Sequence, residues 1–363
     1  PIVLDPTLQF TAPGASNLNT IIDGSASSYF GWSMISGDFN TDGRTDLAVY
    51  AGTWGTTGYV YIFYNDGSIP TTSATADVII TGETSSNFGM FLTSGDLNSD
   101  GKTDLAIGAY NYNSRQGRVY IFYQDTTTWG TSSCTSGCLA SNADIIITGE
   151  GTNNDFNIPL VADLNPDGKN DLTVGAPLYN SAQGRVYIFW QDGSWGDTAC
   201  TTGCLASDAD VTITGQATYN TFGSTLMAGD LNNDGKTDLY VDAREYNGSS
   251  DFSGRGYIFY NDGTVNFGTA TCTAGTPVTC AAGNGDILLD AQATWSYFGY
   301  TGAITDVNGD GKVDLVLGAG GWNGTQGKVY IFKQDGIWGN DGVDPTCGGA
   351  TACLAANADY IIT

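Results

Sequence analysis

The stretch "DFNTDGRTD" at residues 38–46 decides the fold, because the sequence repeats it four more times. Each copy has Asp, Asn, Asp and Asp at its first, third, fifth and ninth positions, and Gly at its sixth. The other copies are "DLNSDGKTD" (96–104), "DLNPDGKND" (163–171), "DLNNDGKTD" (230–238) and "DVNGDGKVD" (306–314). Self-similarity at spacings of 58 to 76 residues is typical of a repeat protein.

The loop is the centre of a longer unit. In the first copy an aromatic–glycine run, "YFGWSMISG" (29–37), precedes it, and the apolar run "LAVYAG" (47–52) follows it. The unit ends with "GYVYIFYNDG" (58–67) and "ADVIITGE" (76–83). Four short β-rich runs per unit predict one antiparallel sheet, and the run "VYIF" is apolar on both faces, as expected between two sheets.

Radial stacking of such sheets predicts an all-β fold, a β-propeller of five four-stranded blades. We expect residues 1–363 to form one repeat domain, with residues 1–18 as a leading segment. The sequence begins with a closing-type run, "NTIIDGSASSYFG" (19–31), and ends with another, "ADYIIT" (358–363). One of them is surplus for a ring closed within the chain, which leaves two alternatives: an exchange of strands with a neighbouring subunit, or a leading segment that lies across the rim.

Each loop offers oxygen ligands for a hard cation. Gly43 permits a bend with positive φ, which would turn the next carbonyl inward. With water, this set reaches the 6–8 oxygens that Ca²⁺ takes at roughly 2.3–2.6 Å. An EF-hand is not predicted, since Val49 stands where its glutamate would be and strands replace its helices. A solvated Asp/Asn/Gly turn is the alternative for one copy, but five copies favour calcium.

The sequence therefore predicts about five Ca²⁺ sites. Their ligands would be the side chains at positions one, three, five and nine and the backbone carbonyl at position seven: Asp38, Asn40, Asp42, Arg44 and Asp46; Asp96, Asn98, Asp100, Lys102 and Asp104; Asp163, Asn165, Asp167, Lys169 and Asp171; Asp230, Asn232, Asp234, Lys236 and Asp238; and Asp306, Asn308, Asp310, Lys312 and Asp314.

Phe30-Gly31, the loop and Gly175-Ala176-Pro177 together resemble the FG-GAP repeat of integrin α-subunit propellers. The resemblance implies that the loop joins the first two strands of each blade and that its calcium is structural. The chain departs from the pattern at Asn157, which replaces the glycine of Phe-Gly, and only the third repeat reads Gly-Ala-Pro. Integrin propellers have seven blades and this chain has five units, so either the ring has five blades or the chain is part of a larger array.

Composition excludes several functions. The 38 acidic and 12 basic residues give a net charge of −26, which argues against nucleic-acid binding and against anionic membrane surfaces. The absence of histidine removes imidazole-dependent catalysis and ordinary zinc enzymes. There is no run of 18 apolar residues, so we expect no insertion into a membrane.

The cysteines indicate an oxidising setting. They fall into four local pairs: Cys134/Cys138, Cys200/Cys204, Cys272/Cys280 and Cys347/Cys353. We predict four disulfides and a secreted or cell-surface protein. The alternative, zinc bound by two pairs, requires distant pairs to meet. Asn247 and Asn323 lie in glycosylation sequons.

These features predict a non-enzymatic extracellular scaffold for adhesion, a surface layer or a filament. Its partners would be calcium and either copies of itself or another extracellular protein or glycan. One alternative is a lectin, with Trp195 or Trp338 stacked on sugars, although recurring tryptophans more often pack the edges of blades. A carboxylate-based hydrolase is a further alternative, for which Asp242 and Glu245 are the unusual acidic residues.

Overall fold

The structure is a computed structural model of the chain. It describes residues 22–25, 28–67, 70–125, 129–130, 137–193, 195, 203–246, 252–263, 272, 278–334 and 353–363.

Five sheets follow one another along the chain, and each repeat contributes four antiparallel strands to one sheet. This confirms the predicted five-bladed β-propeller. The strands of the first three blades are β1 Met34–Gly37, β2 Asp46–Ala51, β3 Tyr59–Phe63 and β4 Val78–Thr81; β5 Phe91–Gly95, β6 Asp104–Ala109, β7 Arg118–Phe122 and β9 Ile145–Thr148; and β10 Ile158–Ala162, β11 Asp171–Ala176, β12 Arg185–Phe189 and β14 Val211–Thr214. Those of the last two blades are β15 Phe222–Gly229, β16 Asp238–Ala243, β17 Arg255–Phe259 and β19 Ile287–Asp290; and β20 Phe298–Thr305, β21 Asp314–Ala319, β22 Lys328–Phe332 and β24 Tyr360–Ile362.

Four of the sheets gain a fifth strand that the sequence did not predict. It comes from the next repeat and pairs in parallel with the last strand of the blade. These strands are β8 Cys138–Leu139, β13 Cys204–Leu205, β18 Val278–Ala281 and β23 Cys353–Leu354. Three of these strands, β8, β13 and β23, have only two residues each, which is too short for a period of two to show.

The remaining regular segments are single turns. Three short helical turns follow the second strands of blades two, three and five, and they contain left-handed residues: Tyr112–Arg115, Tyr179–Ala182 and Trp322–Thr325. The 3-10 turns precede the fourth strand of each blade: Ser73–Thr75, Ala140–Asn142, Ala206–Asp208, Ala282–Asn284 and Ala355–Asn357. In the described part of the chain, no helix is long and apolar enough to cross a membrane.

The core lies between successive blades. Strand β7 shows why: Tyr120 and Phe122 pack towards the first blade, whereas Val119 and Ile121 pack towards the third. Four such clusters join the blades from the first to the fifth. The run "VYIF" is therefore apolar on both faces because each face meets a different sheet, as predicted.

Candidate metal loops and a cleft on the propeller axis

The five loops connect the first and second strands of their blades and share one hydrogen-bonding pattern. In the first loop the amide of Asp42 donates to Asp38 Oδ1 at 3.1 Å and to Asn40 Oδ1 at 3.0 Å. Gly43, at φ +82°, donates to Asp38 Oδ2 at 2.9 Å. The amides of Asp100, Asp167, Asp234 and Asp310 make the same pair of contacts. Two side-chain oxygens thus converge on one point in every loop.

The aspartate at the ninth position of each loop is buried, and its contacts differ from those of the other loop positions. Asp171 is fully buried, and its two oxygens accept the amides of Leu164 at 2.8 Å and Gln191 at 3.0 Å. It therefore ties the start of the loop to the residues after the third strand. The aspartates at this position in the other loops accept the equivalent pairs of amides: Asp46, Asp104, Asp238 and Asp314.

Burial raises the pKa of three of these carboxyls, Asp104, Asp171 and Asp238, to about 7. The backbone hydrogen bonds oppose that rise, and the carboxylates of the same loop add to it. A group that is costly to ionise without a nearby cation fits a loop in which a cation is expected.

The donor chemistry of the loops suits Ca²⁺, since it consists of carboxylate, amide and carbonyl oxygens and includes no nitrogen or sulfur ligand. In two loops a lysine ammonium contacts the carboxylate at position five, at 2.9 Å between Lys102 and Asp100 and 3.1 Å between Lys236 and Asp234. Among the described residues, however, no three acidic or cysteine side chains form a ready metal centre. The predicted ligand set stays a prediction.

The cysteine predictions are partly tested. Cys272 and Cys280 form a disulfide with a Cα–Cα distance of 4.6 Å, as predicted. Cys138 and Cys204 are also disulfide-bonded. Their predicted partners, Cys134 and Cys200, lie outside the described residues, as does Cys347.

The remaining sequence candidates lie in different settings. Asn323 is exposed in a left-handed turn, where its side chain donates to Gln326, whereas Asn247 lies outside the described residues. Trp195 is only 4% exposed and donates to the Tyr123 hydroxyl at 3.0 Å, so it packs between blades and is unable to stack on a sugar. Trp338 falls outside the described residues.

A cleft of about 170 Å³ lies on the propeller axis, and all five blades contribute to it. We call it the axial cleft, and its polar and aromatic lining consists of Trp54, Phe91, Tyr110, Arg115, Asp155, Asn157, Ser224, Arg244 and Tyr300. It opens at the ends of the second strands, opposite to the acidic loops, because Tyr110 and Arg244 follow β6 and β16 directly. Asp242, one of the unusual acidic residues of the sequence, lies behind it next to Ser224, but the sequence alone does not predict the cleft.

One signal in the sequence could have pointed there. In a repeat protein the shared residues serve the fold, and the residues at which one repeat departs from the others are the better candidates for function. Asn157 and Asp242 are two such departures.

Together the architecture and the loops define a repeat β-propeller with an acidic loop in every blade. The model of the FG-GAP repeat matches residues 30–63, 88–122, 157–189, 222–259 and 298–332. The chain belongs to the FG-GAP repeat family, and the resemblance to integrin α subunits is confirmed.

Its relatives are much longer proteins. The chain is 28% identical to bovine (Bos taurus) phosphatidylinositol-glycan-specific phospholipase D over 68% of its own length and 28% of that protein. It is 33% identical to integrin alpha-5 of Xenopus laevis over 45% of its own length and 15% of that protein. The solved structure of the V. cholerae biofilm matrix protein Bap1 aligns with 84% of this chain and 38% of its own at 14% identity, with a TM-score of 0.36.

The expectation that the protein is not an enzyme is wrong. The bovine relative, which aligns over 68% of the chain, is named as a phospholipase D, and the mouse protein of the same name is 36% identical over 42% of the chain. The absence of histidine excludes only imidazole-dependent catalysis within this sequence, so the inference that the protein has no enzymatic activity was too broad. It says nothing about an activity carried by the other parts of such relatives.

Proposed function

We propose that the chain is a calcium-stabilised extracellular β-propeller that acts as an adhesive or structural scaffold. The observation that carries the calcium part is the convergence of two side-chain oxygens on one amide in all five loops. The extracellular part is supported by the Cys272–Cys280 disulfide and by the net charge of −26, which favours cations as partners.

In this proposal the exposed positions of each loop bind Ca²⁺, and the buried ninth aspartate holds the loop in place through its backbone contacts. Five bound ions would change the formal charge from −26 to −16 (−26 + 5 × 2) and would relieve repulsion among the loop carboxylates. The loops would then stiffen the joints between the first and second strands of every blade.

The calcium part is tested by unfolding the full chain in urea with excess calcium and with EDTA. At a free calcium concentration of 100 times Kd, each site that binds only the folded chain adds about 2.7 kcal/mol to the free energy of unfolding. Magnesium at the same concentration is the matched control, since its smaller octahedral site suits these loops poorly. An unfolding midpoint that is the same in calcium, magnesium and EDTA would refute the proposal.

The scaffold part is supported by the apolar surface on the two outermost blades. On β1, Ile35 packs towards the second blade, so Met34 points away from it and is exposed. On β24, Tyr360 and Ile362 are exposed, and no parallel strand from the described residues covers this edge. Exposed apolar faces and open edges of this kind mark interaction surfaces, and we propose that they bind a second copy of the chain.

Analytical ultracentrifugation at high protein concentration with calcium tests this association. We expect oligomers that dissociate when Met34→Lys and Ile362→Lys are combined. Tyr219→Lys, which changes an exposed aromatic residue elsewhere, is the control and should leave the oligomers intact. A chain that sediments only as a monomer would rule out the proposed association while leaving the calcium proposal unaffected.

A further inference from the structure

Two residues at the axial cleft differ from their counterparts in the other repeats: Asn157 lines the cleft, and Asp242 lies behind it. Asn157 takes a position that is glycine in every other repeat: Gly31, Gly89, Gly223 and Gly299. Asp242 takes the position of Gly108, Gly175 and Gly318, while the first repeat has Tyr50 there. Both side chains are nearly or completely buried. The two residues therefore place polar groups at positions where most of the other repeats have no side chain.

Packing alone gives no reason for Asp242. At Gly108 and Gly175 the next blade comes so close that a Cβ would lie 2.0 and 2.1 Å from its backbone carbonyls. In the fourth blade this close contact is replaced by a carboxyl group, and the registers of β15 and β20 shift beside it. A buried carboxyl group therefore stands where the second and third blades have a close backbone contact.

Several polar atoms behind the cleft lack a partner. One oxygen of Asp242 accepts the Ser224 hydroxyl at 2.9 Å, and the other accepts no hydrogen bond from the described residues. The buried Tyr240 hydroxyl likewise makes none. Arg244 Nε lies 3.5 Å from Glu245 Oε1 but makes no hydrogen bond within the described part. Burying polar atoms without partners is costly, so an arrangement of this kind points to a use beyond folding.

The charges in the cleft are already balanced. Arg115 donates from Nε and Nη2 to the two oxygens of Asp155, and Arg244 lies beside Glu245. An anionic ligand would meet a chain of net charge −26, and a cationic ligand would compete with Arg115 for Asp155. A neutral ligand rich in hydroxyl groups is therefore the best match.

Aromatic rings form the rim. Trp54 is 61% exposed and Tyr300 is 49% exposed, and they belong to the first and fifth blades. Tyr110 contacts the Trp54 ring edge-on at 5.8 Å between centroids, and the Arg244 guanidinium lies 5.1 Å from the centre of the Tyr300 ring. These contacts hold the rings in place, so they offer rigid apolar faces beside the polar groups of the cleft.

We propose that the axial cleft binds a single neutral sugar residue, with its apolar face on the Trp54 or Tyr300 ring and its hydroxyls bonded to Asn157, Asp155 and Arg244. The cleft volume of about 170 Å³ suits one sugar ring. The Arg244 guanidinium can donate to neighbouring hydroxyls, Asn157 can both donate and accept, and Asp155 keeps further lone pairs beyond the two that accept from Arg115. The site is independent of the loops and of the proposed calcium role.

The test is isothermal titration of the full chain, in calcium, with neutral hexoses and their methyl glycosides. Asn157→Gly restores the residue of the other four repeats, so the fold is kept while a hydrogen-bonding group is removed. We expect it to weaken binding roughly tenfold, the equivalent of one lost hydrogen bond. Tyr300→Ala should weaken binding by a similar factor, and Tyr219→Ala, another exposed aromatic residue, should change it less than twofold.

Two charged sugars separate the alternatives. Glucuronic acid should bind more weakly than glucose because of the acidic chain, and glucosamine should also bind more weakly because Asp155 is already paired. Tighter binding of either charged sugar would overturn the assignment of a neutral ligand. A complete lack of binding to neutral hexoses, or binding that Asn157→Gly leaves unchanged, would overturn the site itself.

Discussion

The position-nine aspartate gives the sharpest test of how the loops hold their shape, and Asp171→Asn is the variant to make. Asp171 accepts two backbone amides, from Leu164 at 2.8 Å and Gln191 at 3.0 Å. Asparagine has one oxygen, so its amide group must face one of these donors. The loss of a charge-assisted bond, about 1.5–3 kcal/mol, and one unsatisfied buried amide, about 1–3 kcal/mol, together predict a cost of about 4 kcal/mol.

Asp167→Asn is the matched control, because it makes the same chemical change in the same loop at an exposed position. Asp167 accepts only the amide of Lys169, at 2.9 Å, and asparagine can keep that bond. Without calcium we expect this substitution to lower the free energy of unfolding by less than about 1 kcal/mol, as is usual for surface substitutions. With calcium it should cost more, because it removes a charged ligand.

The assay is urea unfolding at pH 8, above the pKa of about 7 for Asp171, so that the carboxylate is ionised in the parent chain. Each variant is measured with EDTA and with calcium. One unsatisfied buried amide alone should cost about 1 kcal/mol. If the free energies of unfolding of the two variants in EDTA differ by less than that, the backbone contacts of Asp171 do not stabilise the fold as proposed. If Asp167→Asn costs the same with and without calcium, this residue is not a ligand.

Two further predictions concern groups away from the loops. Burial raises the pKa of Asp242 to about 8 from 3.8, so the parent should lose stability as pH rises from about 4 to about 8, where only the unfolded chain ionises. At 1.36 kcal/mol per pKa unit, the loss in free energy of unfolding is at most about 6 kcal/mol. Asp242→Asn should abolish this loss. If the free energies of unfolding of the parent and the variant change with pH in parallel, the argument is wrong. Glu150 accepts Arg185 and the Tyr187 hydroxyl, both at 3.0 Å, across two blades. Glu150→Ala should therefore cost about 2 kcal/mol in urea unfolding and Glu150→Gln less than half of that, since glutamine keeps the acceptor; equal costs would refute the role of the hydrogen bonds.

Most of the fold could be predicted from the sequence because the repeat displays it five times. A single loop such as residues 38–46 is ambiguous between a turn and a metal site. The fivefold pattern and the two-faced run "VYIF" together allow little except sheets stacked around an axis. The oxygen-rich positions of the loops could be predicted for the same reason.

The rest depends on contacts between repeats, which no local pattern encodes. The sequence suggested that Asp171 and the other ninth aspartates face a metal, and the structure adds their backbone contacts to residues about 20 positions further along the chain. The sequence around Trp195 is compatible with an exposed or a buried side chain. Trp195 is buried because it packs against the neighbouring blade.

The axial cleft was decided entirely by the tertiary structure. Trp54 and Tyr300 are 246 residues apart, yet they line the same cleft. Asn157 and Asp242 differ from the other repeats in ways that the sequence shows plainly, but their meaning depends on where five blades converge. A repeated sequence determines the blade, because the blade is built from local contacts. The centre of the ring is built from one strand end of every blade, and its chemistry exists only once they meet.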